Sequence, residues 1–230
     1  MQIVPGILTN NLQLFKQRVG LAQEAAKKGL IEWAQVDLID GVFAEELTVF
    51  PSDLDVWSRK YDPLKFEAHL MVSKENLEDW LWRAIQDAGF DRVIIQIESV
   101  GDQLELVKRI RACKACETEV GFSLDVETPV SVLDKEVLKK LDVIQIMTVK
   151  TGASGQKLMP EMLEKVRHLV EMRRVQGLGF RVEVDGGVNL ENIKQLRDLG
   201  VDLAEVNSGL YNNRDFIENS REFYQQIKTG

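Results

Sequence analysis

Short aliphatic runs alternate with longer stretches in which apolar positions recur every three to four residues, and this alternation repeats about eight times along the chain. The runs fall at 2–8 (QIVPGIL), 33–38 (WAQVDL), 64–69 (LKFEAH), 91–97 (DRVIIQI), 119–124 (EVGFSL), 142–147 (DVIQIM), 180–185 (FRVEVD) and 202–207 (DLAEVN). Their length and density of branched residues predict strands, and the intervening periodic stretches predict amphipathic helices. NLQLFKQRVGLAQEAAKKG (11–29) is one such helix. KENLEDWLWRAIQDAG (74–89) is another, stopped by Gly89, and NLENIKQLRDLG (189–200) stops at Gly200 with Asn189 as its expected N-cap.

Eight strand-then-helix units without a linker predict a closed (β/α)8 TIM barrel, with residues 1–230 as one domain. An open doubly wound sheet usually has fewer strands and favours a glycine-rich turn after its first strand. Here that turn reads LTNN.

In such a barrel the chemistry sits where the strands end. The polar residues expected there are Thr9 after the first strand, Gln35 and Asp37 on the second, and Glu67 and His69 on the third. Gln96 and Glu98 follow on the fourth, Met147 ends the sixth, and Glu183 and Asp185 lie on the seventh. Residues two apart on a strand point to the same side. Burying an unpaired charge is costly, so several such groups converging on one mouth indicate a site. Asp40 is expected to cap the turn with Gly41, His168 to lie on the surface, and Glu67 and Glu183 to hydrogen-bond lower in the barrel. Small-residue loops follow strands six (SGQK, 154–157), seven (DGG, 185–187) and eight (NSG, 207–209). Glycines let backbone N–H groups point at an anion, which suggests a phosphorylated substrate.

Composition narrows the partners. The chain is 44% hydrophobic and 29% charged with a formal net charge of −8, which argues against nucleic acid, because phosphate backbones require a basic surplus. No stretch is apolar enough to span a bilayer, and MQIVPGILTNN has no basic region or cleavage pattern, so a cytoplasmic location is expected. Cys113 and Cys116 form a CxxC in a charged, helical segment; a redox pair normally follows a strand, so two small, partly buried helix residues are expected instead.

VDLIDGVF, EAHLMV, MTVKTGASGQKLMPEML, EVDGGVN and VNSGLY, in this order and spacing, resemble the ribulose-phosphate 3-epimerase family over nearly the whole chain. The resemblance implies a barrel enzyme that inverts the carbon beside the ketone of a ketose phosphate, using two aspartates and one divalent metal, commonly zinc, iron, manganese or cobalt. It makes Asp37 and Asp185 the acid/base pair and metal ligands, with His69 a further ligand. Thr9 stands where a serine usually touches substrate. Met71 and Met147 line the pocket, and Gly155, Gly186, Gly187, Ser208 and Gly209 bind phosphate. Relatives form dimers or hexamers, which implies a homo-oligomer.

The sequence also departs from the family pattern. Gln35 replaces the histidine that is the first metal ligand, so a metal here would take the Gln35 carbonyl oxygen. Ile39 replaces a methionine, Gln96 a histidine, KTGASGQ stands for NPGFGGQ, Asn207 for a glycine, and VFAEEL for VPN, bringing Glu45 and Glu46 near the mouth. These changes keep a second reading open, a non-catalytic or metal-free phosphosugar-binding relative. A sugar-phosphate aldolase or orotidine-type decarboxylase would carry a lysine in a D-x-K-x-x-D array, and D-L-I-D has none.

Overall fold

The computed structural model describes residues 1–56, 58–113, 117–151, 155–212 and 215–229. Strands β1 (Gln2–Ile7), β2 (Trp33–Ile39), β3 (Lys65–Met71), β4 (Arg92–Gln96), β5 (Glu119–Leu124), β6 (Val143–Met147), β7 (Arg181–Asp185) and β8 (Leu203–Val206) pair in sequence order, and β8 pairs back to β1 to close the barrel. Every pairing is parallel. The expected strands therefore all form, with ends moved by one or two residues. Helices α1 (Leu12–Lys27), α2 (Ser58–Tyr61), α3 (Leu77–Trp82), α4 (Gln103–Arg111), α5 (Lys135–Leu138), α6 (Met162–Gln176), α7 (Ile193–Leu199) and α8 (Phe216–Lys228) follow the strands in turn.

Alternation sorts each strand's side chains between helix layer and barrel interior. On β2, Ala34, Val36 and Leu38 join the large apolar cluster with Phe15, Val19, Ala22 and Ala26 of α1. Those α1 positions form one apolar stripe at helical spacing. Burying a side chain such as Phe15 contributes about 2–3 kcal/mol. The interior is layered. Val4, Trp33, Ile94, Val143 and Leu203 form a separate apolar plug at the bottom. Arg92 lies over Trp33, its guanidinium carbon 3.7 Å from a ring centroid, and pairs with Glu67 and with Glu119.

Local chemistry explains the helix ends. Asn11 caps α1, its Oδ1 accepting N–H bonds from Gln13 and Leu14. The long helix expected over 74–89 begins as α3 and widens into a π-helical turn over Arg83–Ala88, closed by Gly89 at φ 84°. Trp80 of α3 is buried edge-to-face against Phe50. Asn189 caps the turn before α7, accepting from the N–H groups of Glu191 and Asn192, so the N-cap position itself falls to Asn192. Cys113 lies beyond the end of α4 rather than within a helix, and Cys116 lies outside the described residues.

Candidate active site

The period of two along β2 sends Gln35 and Asp37 inward, and the neighbouring register sets Asp37 opposite His69 of β3. Asp185 ends β7, where Thr148 fixes it: the Thr148 N–H and hydroxyl both donate to the Asp185 carbonyl, at 2.7 and 2.9 Å. Thr48 likewise braces the end of β2, its hydroxyl accepting from the Ile39 N–H at 2.8 Å.

These elements bring Asp37, His69 and Asp185 together, with one potential ligand atom from each lying within 4.8 Å of the others. His69 Nδ1 is 3.1 Å from Asp185 Oδ2 and 3.5 Å from Asp37 Oδ1. Donor atoms bound at about 2.1 Å to one divalent ion stand about 3.0–3.4 Å apart. The His69 separations lie near that range, and two carboxylates with an imidazole are donor types that such an ion takes. Burial alone would lower the His69 pKa, but hydrogen bonds and charge from Asp185 and Asp37 outweigh it and hold the value at about 9. Burial raises the Asp37 pKa, reinforced by the nearby Asp185 charge and opposed by His69 and Gln35.

Gln35 reaches the same centre with its amide nitrogen. Nε2 donates to Asp37 at 2.8 Å and to Asp185 at 2.7 Å, and lies 3.4 Å from His69 Nδ1. Its carbonyl oxygen accepts instead from Gln145 Nε2 at 2.7 Å. In this arrangement Gln35 is a donor to the acids, not an oxygen ligand. The far nitrogen of His69 meets Gln96 Nε2 at 3.1 Å. Below lie Glu67, paired with Arg92, and Glu183, whose burial beside Glu67 pushes its pKa well above the ordinary carboxylate value.

Above this centre opens a cavity. Asp37, Asp185, Met71 and Met147 line it, and its far wall is built from Gly155, Gly186, Gly187 and Ser208 with Lys150 and Gln156. Gln35 and His69 lie fully buried beneath. Gly187 has φ 69°, and a Cβ there would stand 2.1 Å from the Leu158 backbone nitrogen, so only glycine lets the loops after β6 and β7 meet. Asn192 Nδ2 donates to the Gly187 carbonyl at 2.9 Å and holds that loop.

Thr9 and Gly209 stand elsewhere. Leu8 lines the cavity, while the Thr9 hydroxyl accepts from the Asn11 N–H and the Thr9 carbonyl from Val49. Gly209 packs beside Phe223 and Val206. Ser154 of the loop after β6 lies outside the described residues. Asp40 does cap its turn, accepting from Val42 and Phe43, and also takes bonds from the Ser73 N–H and Asn76 Nδ2. His168 is exposed, as are Glu45 and Glu46. Gln145, Glu205 and Asn192 are site residues that the strand-end reading passed over. Gln145 and Glu205 were legible as inward positions two before Met147 and Asn207.

Two acids and a histidine thus gather at the C-terminal mouth of a (β/α)8 barrel, the end at which such folds carry their active sites. Solved barrels superpose over most of the chain: 3-hexulose-6-phosphate synthase from Salmonella typhimurium (TM-score 0.64, 18% identity, 99% of this chain and 98% of that one) and orotidine 5'-phosphate decarboxylase from Pyrococcus horikoshii OT3 (TM-score 0.64, 14% identity, all of both chains). At such identities they establish the fold. The ribulose-phosphate 3-epimerase family model matches residues 2–211, and the chain belongs to that family of isomerases. Among its curated relatives are ribulose-phosphate 3-epimerases of Treponema pallidum, 34% identical over 78% of this chain and 79% of the relative, and of Synechocystis, 28% identical over 94% and 90%. No helix among the described residues is long and apolar enough to cross a membrane.

Proposed function

We propose that the protein epimerises C3 of a ketose phosphate, interconverting ribulose 5-phosphate and xylulose 5-phosphate or a related hexulose phosphate pair. The observation that carries this is the placement of Asp37 and Asp185 around one centre, each reaching the same cavity from a different side of the barrel. Inversion requires a proton to leave one face of a carbon and another to arrive on the opposite face. Asp37 and Asp185 are the pair for those two transfers. The loops carrying Gly155, Gly186, Gly187 and Ser208 hold the phosphate by backbone N–H groups. Met71 and Met147 keep water from the carbanion-like centre.

Asp37, His69 and Asp185 would hold one divalent ion, zinc, iron, manganese or cobalt. When bound it offsets the negative charge that builds on the ketone oxygen. Gln35 joins that set through its carbonyl oxygen only if its amide turns over. Thr9 and Gly209 belong to this substrate and phosphate set by the family resemblance alone, since neither lines the cavity. A homo-oligomer in the cytoplasm, with a small-molecule sugar phosphate and neither nucleic acid nor membrane as partner, completes the proposal.

One observation favours the second reading, a metal-free phosphosugar-binding relative. The Gln35 amide nitrogen already satisfies both aspartates without a cation. The test is conversion of ribulose 5-phosphate by protein loaded in turn with each of the four metals. Xylulose 5-phosphate is expected to form, and to stop forming after chelation. Binding of the sugar phosphate with no turnover under any metal would support the second reading.

A further inference from the structure

Glu205 lines the same cavity as Asp37 and Asp185, yet the two-aspartate scheme gives it no task. It lies on β8 opposite Val4 of β1, with its side chain 4% exposed. Its Oε1 is buried and has no hydrogen-bond partner. Leaving a buried carboxyl oxygen unpaired is costly, and such groups persist where a ligand or water completes them. The space it fills comes from β1. A Cβ at Gly6 would stand 1.7 Å from Glu205 Oε1 and 2.8 Å from its carboxyl carbon. A side chain at position 6 and the carboxyl of Glu205 therefore exclude each other. β1 gives up a side chain, at the cost of a glycine within a strand, where β8 pushes an acid into the cavity wall.

The chemistry selects the kind of ligand. Burial, with the charges of Asp185 and Asp37 close by, raises the Glu205 pKa well above the ordinary value, so this corner of the cavity disfavours further negative charge. An anion is a poor match beside these acids, and phosphate has its own cradle at the glycine loops. A hydroxyl matches, because it is neutral and can donate to the unpartnered Glu205 Oε1.

We propose that Glu205, admitted by Gly6, is a specificity-determining residue that hydrogen-bonds a hydroxyl of the bound polyol chain. This rests on the ketose-phosphate reading of the cavity. It sets the sugar phosphate with its phosphate at the loops after β6, β7 and β8 and a hydroxyl against the β1–β8 wall.

The test uses calorimetry with two probes, ribitol 5-phosphate, which has the hydroxyl chain but no ketone, and inorganic phosphate. Glu205→Val is expected to weaken ribitol 5-phosphate by about tenfold while leaving inorganic phosphate within about twofold, the loss of one buried hydrogen bond. Gly6→Ala, which displaces the carboxyl without removing it, is expected to do the same, and the double variant to lose no more than either single one. Because Glu205→Val removes an unpaired buried acid, its Tm should equal or exceed that of the parent, so a binding defect would not reflect unfolding. In turnover, KM for the ketose phosphate should rise more than kcat falls. Equal affinity of parent and Glu205→Val for ribitol 5-phosphate would overturn the proposal, as would a matching loss for inorganic phosphate. Failure of the parent to bind ribitol 5-phosphate at all would overturn the reading of the cavity and the proposal with it.

Discussion

Gln35 gives its side-chain carbonyl to Gln145 Nε2 at 2.7 Å, and that bond decides which end of its amide meets the aspartates. The nitrogen end faces inward and donates to both Asp37 and Asp185. Offering its oxygen to a cation requires Gln35 to turn over and present nitrogen to Gln145. Gln145 can answer that by turning its own Oε1 inward, an atom that now has no partner. The two amides thus form a pair whose orientation is tied to what the acids hold.

Gln35→His puts at this position an imidazole, which zinc prefers to an amide. The expected result is at least about tenfold tighter zinc binding, the scale seen for changes around metal ligands. Zinc retained after dialysis against a competing chelator measures it. Unchanged retention would place position 35 outside the ligand sphere.

Arg92 is fully buried, stacked on Trp33 and paired with Glu67. Arg92→Met leaves Glu67 and Glu183 without their cation in the interior. Breaking a buried pair this way costs about 3–5 kcal/mol. Denaturant unfolding should show that loss; a variant as stable as the parent would mean that the interior acids do not depend on Arg92.

Asp40 accepts four hydrogen bonds, two within its own loop after β2 and two from the loop after β3, and so ties the two loops together. Despite the opposing effect of burial, its N–H partners at Phe43, Ser73, Asn76 and Val42 lower its pKa to about 2. A lowered folded-state pKa contributes stability in full above the ordinary value near 3.8 and loses it as pH falls toward 2. Discounted for its partial exposure, the contribution is about 1 kcal/mol. Asp40→Asn should therefore be less stable than the parent at pH 7, with the gap closing between about pH 4 and pH 2. Urea unfolding at pH 7, 4 and 2.5 checks the sign.

Much of this architecture was legible in the chain. Dense aliphatic runs such as VIIQI mark strands because a barrel strand is buried on both faces, so even its inward polar positions hardly break the pattern. Asp37, His69 and Asp185 stand out for the opposite reason: a charged group at a strand end is costly unless the site uses it. Glu205 and Gln145 were harder to recognise, since each looks like a single polar residue in an apolar run. Their meaning depends on what lies across the barrel, Gly6 for one and Gln35 for the other, and no local pattern carries that. Helix ends shifted for a related reason. Gly89 marks the stop of its helix, but the π-helical widening over Arg83–Ala88 before it leaves no mark in the apolar spacing. Which end of the Gln35 amide faces the site depends on its other neighbour, Gln145, and no local pattern marks that.

The two-acid scheme is tested most directly by incubating metal-loaded protein with ribulose 5-phosphate in deuterium oxide and following label at C3. The parent should exchange the C3 proton as it epimerises. Asp37→Asn and Asp185→Asn should each slow epimerisation by about 10²–10⁴-fold, the scale of one lost acid/base group. Exchange and epimerisation at the parent rate in both variants would contradict proton transfer by this pair.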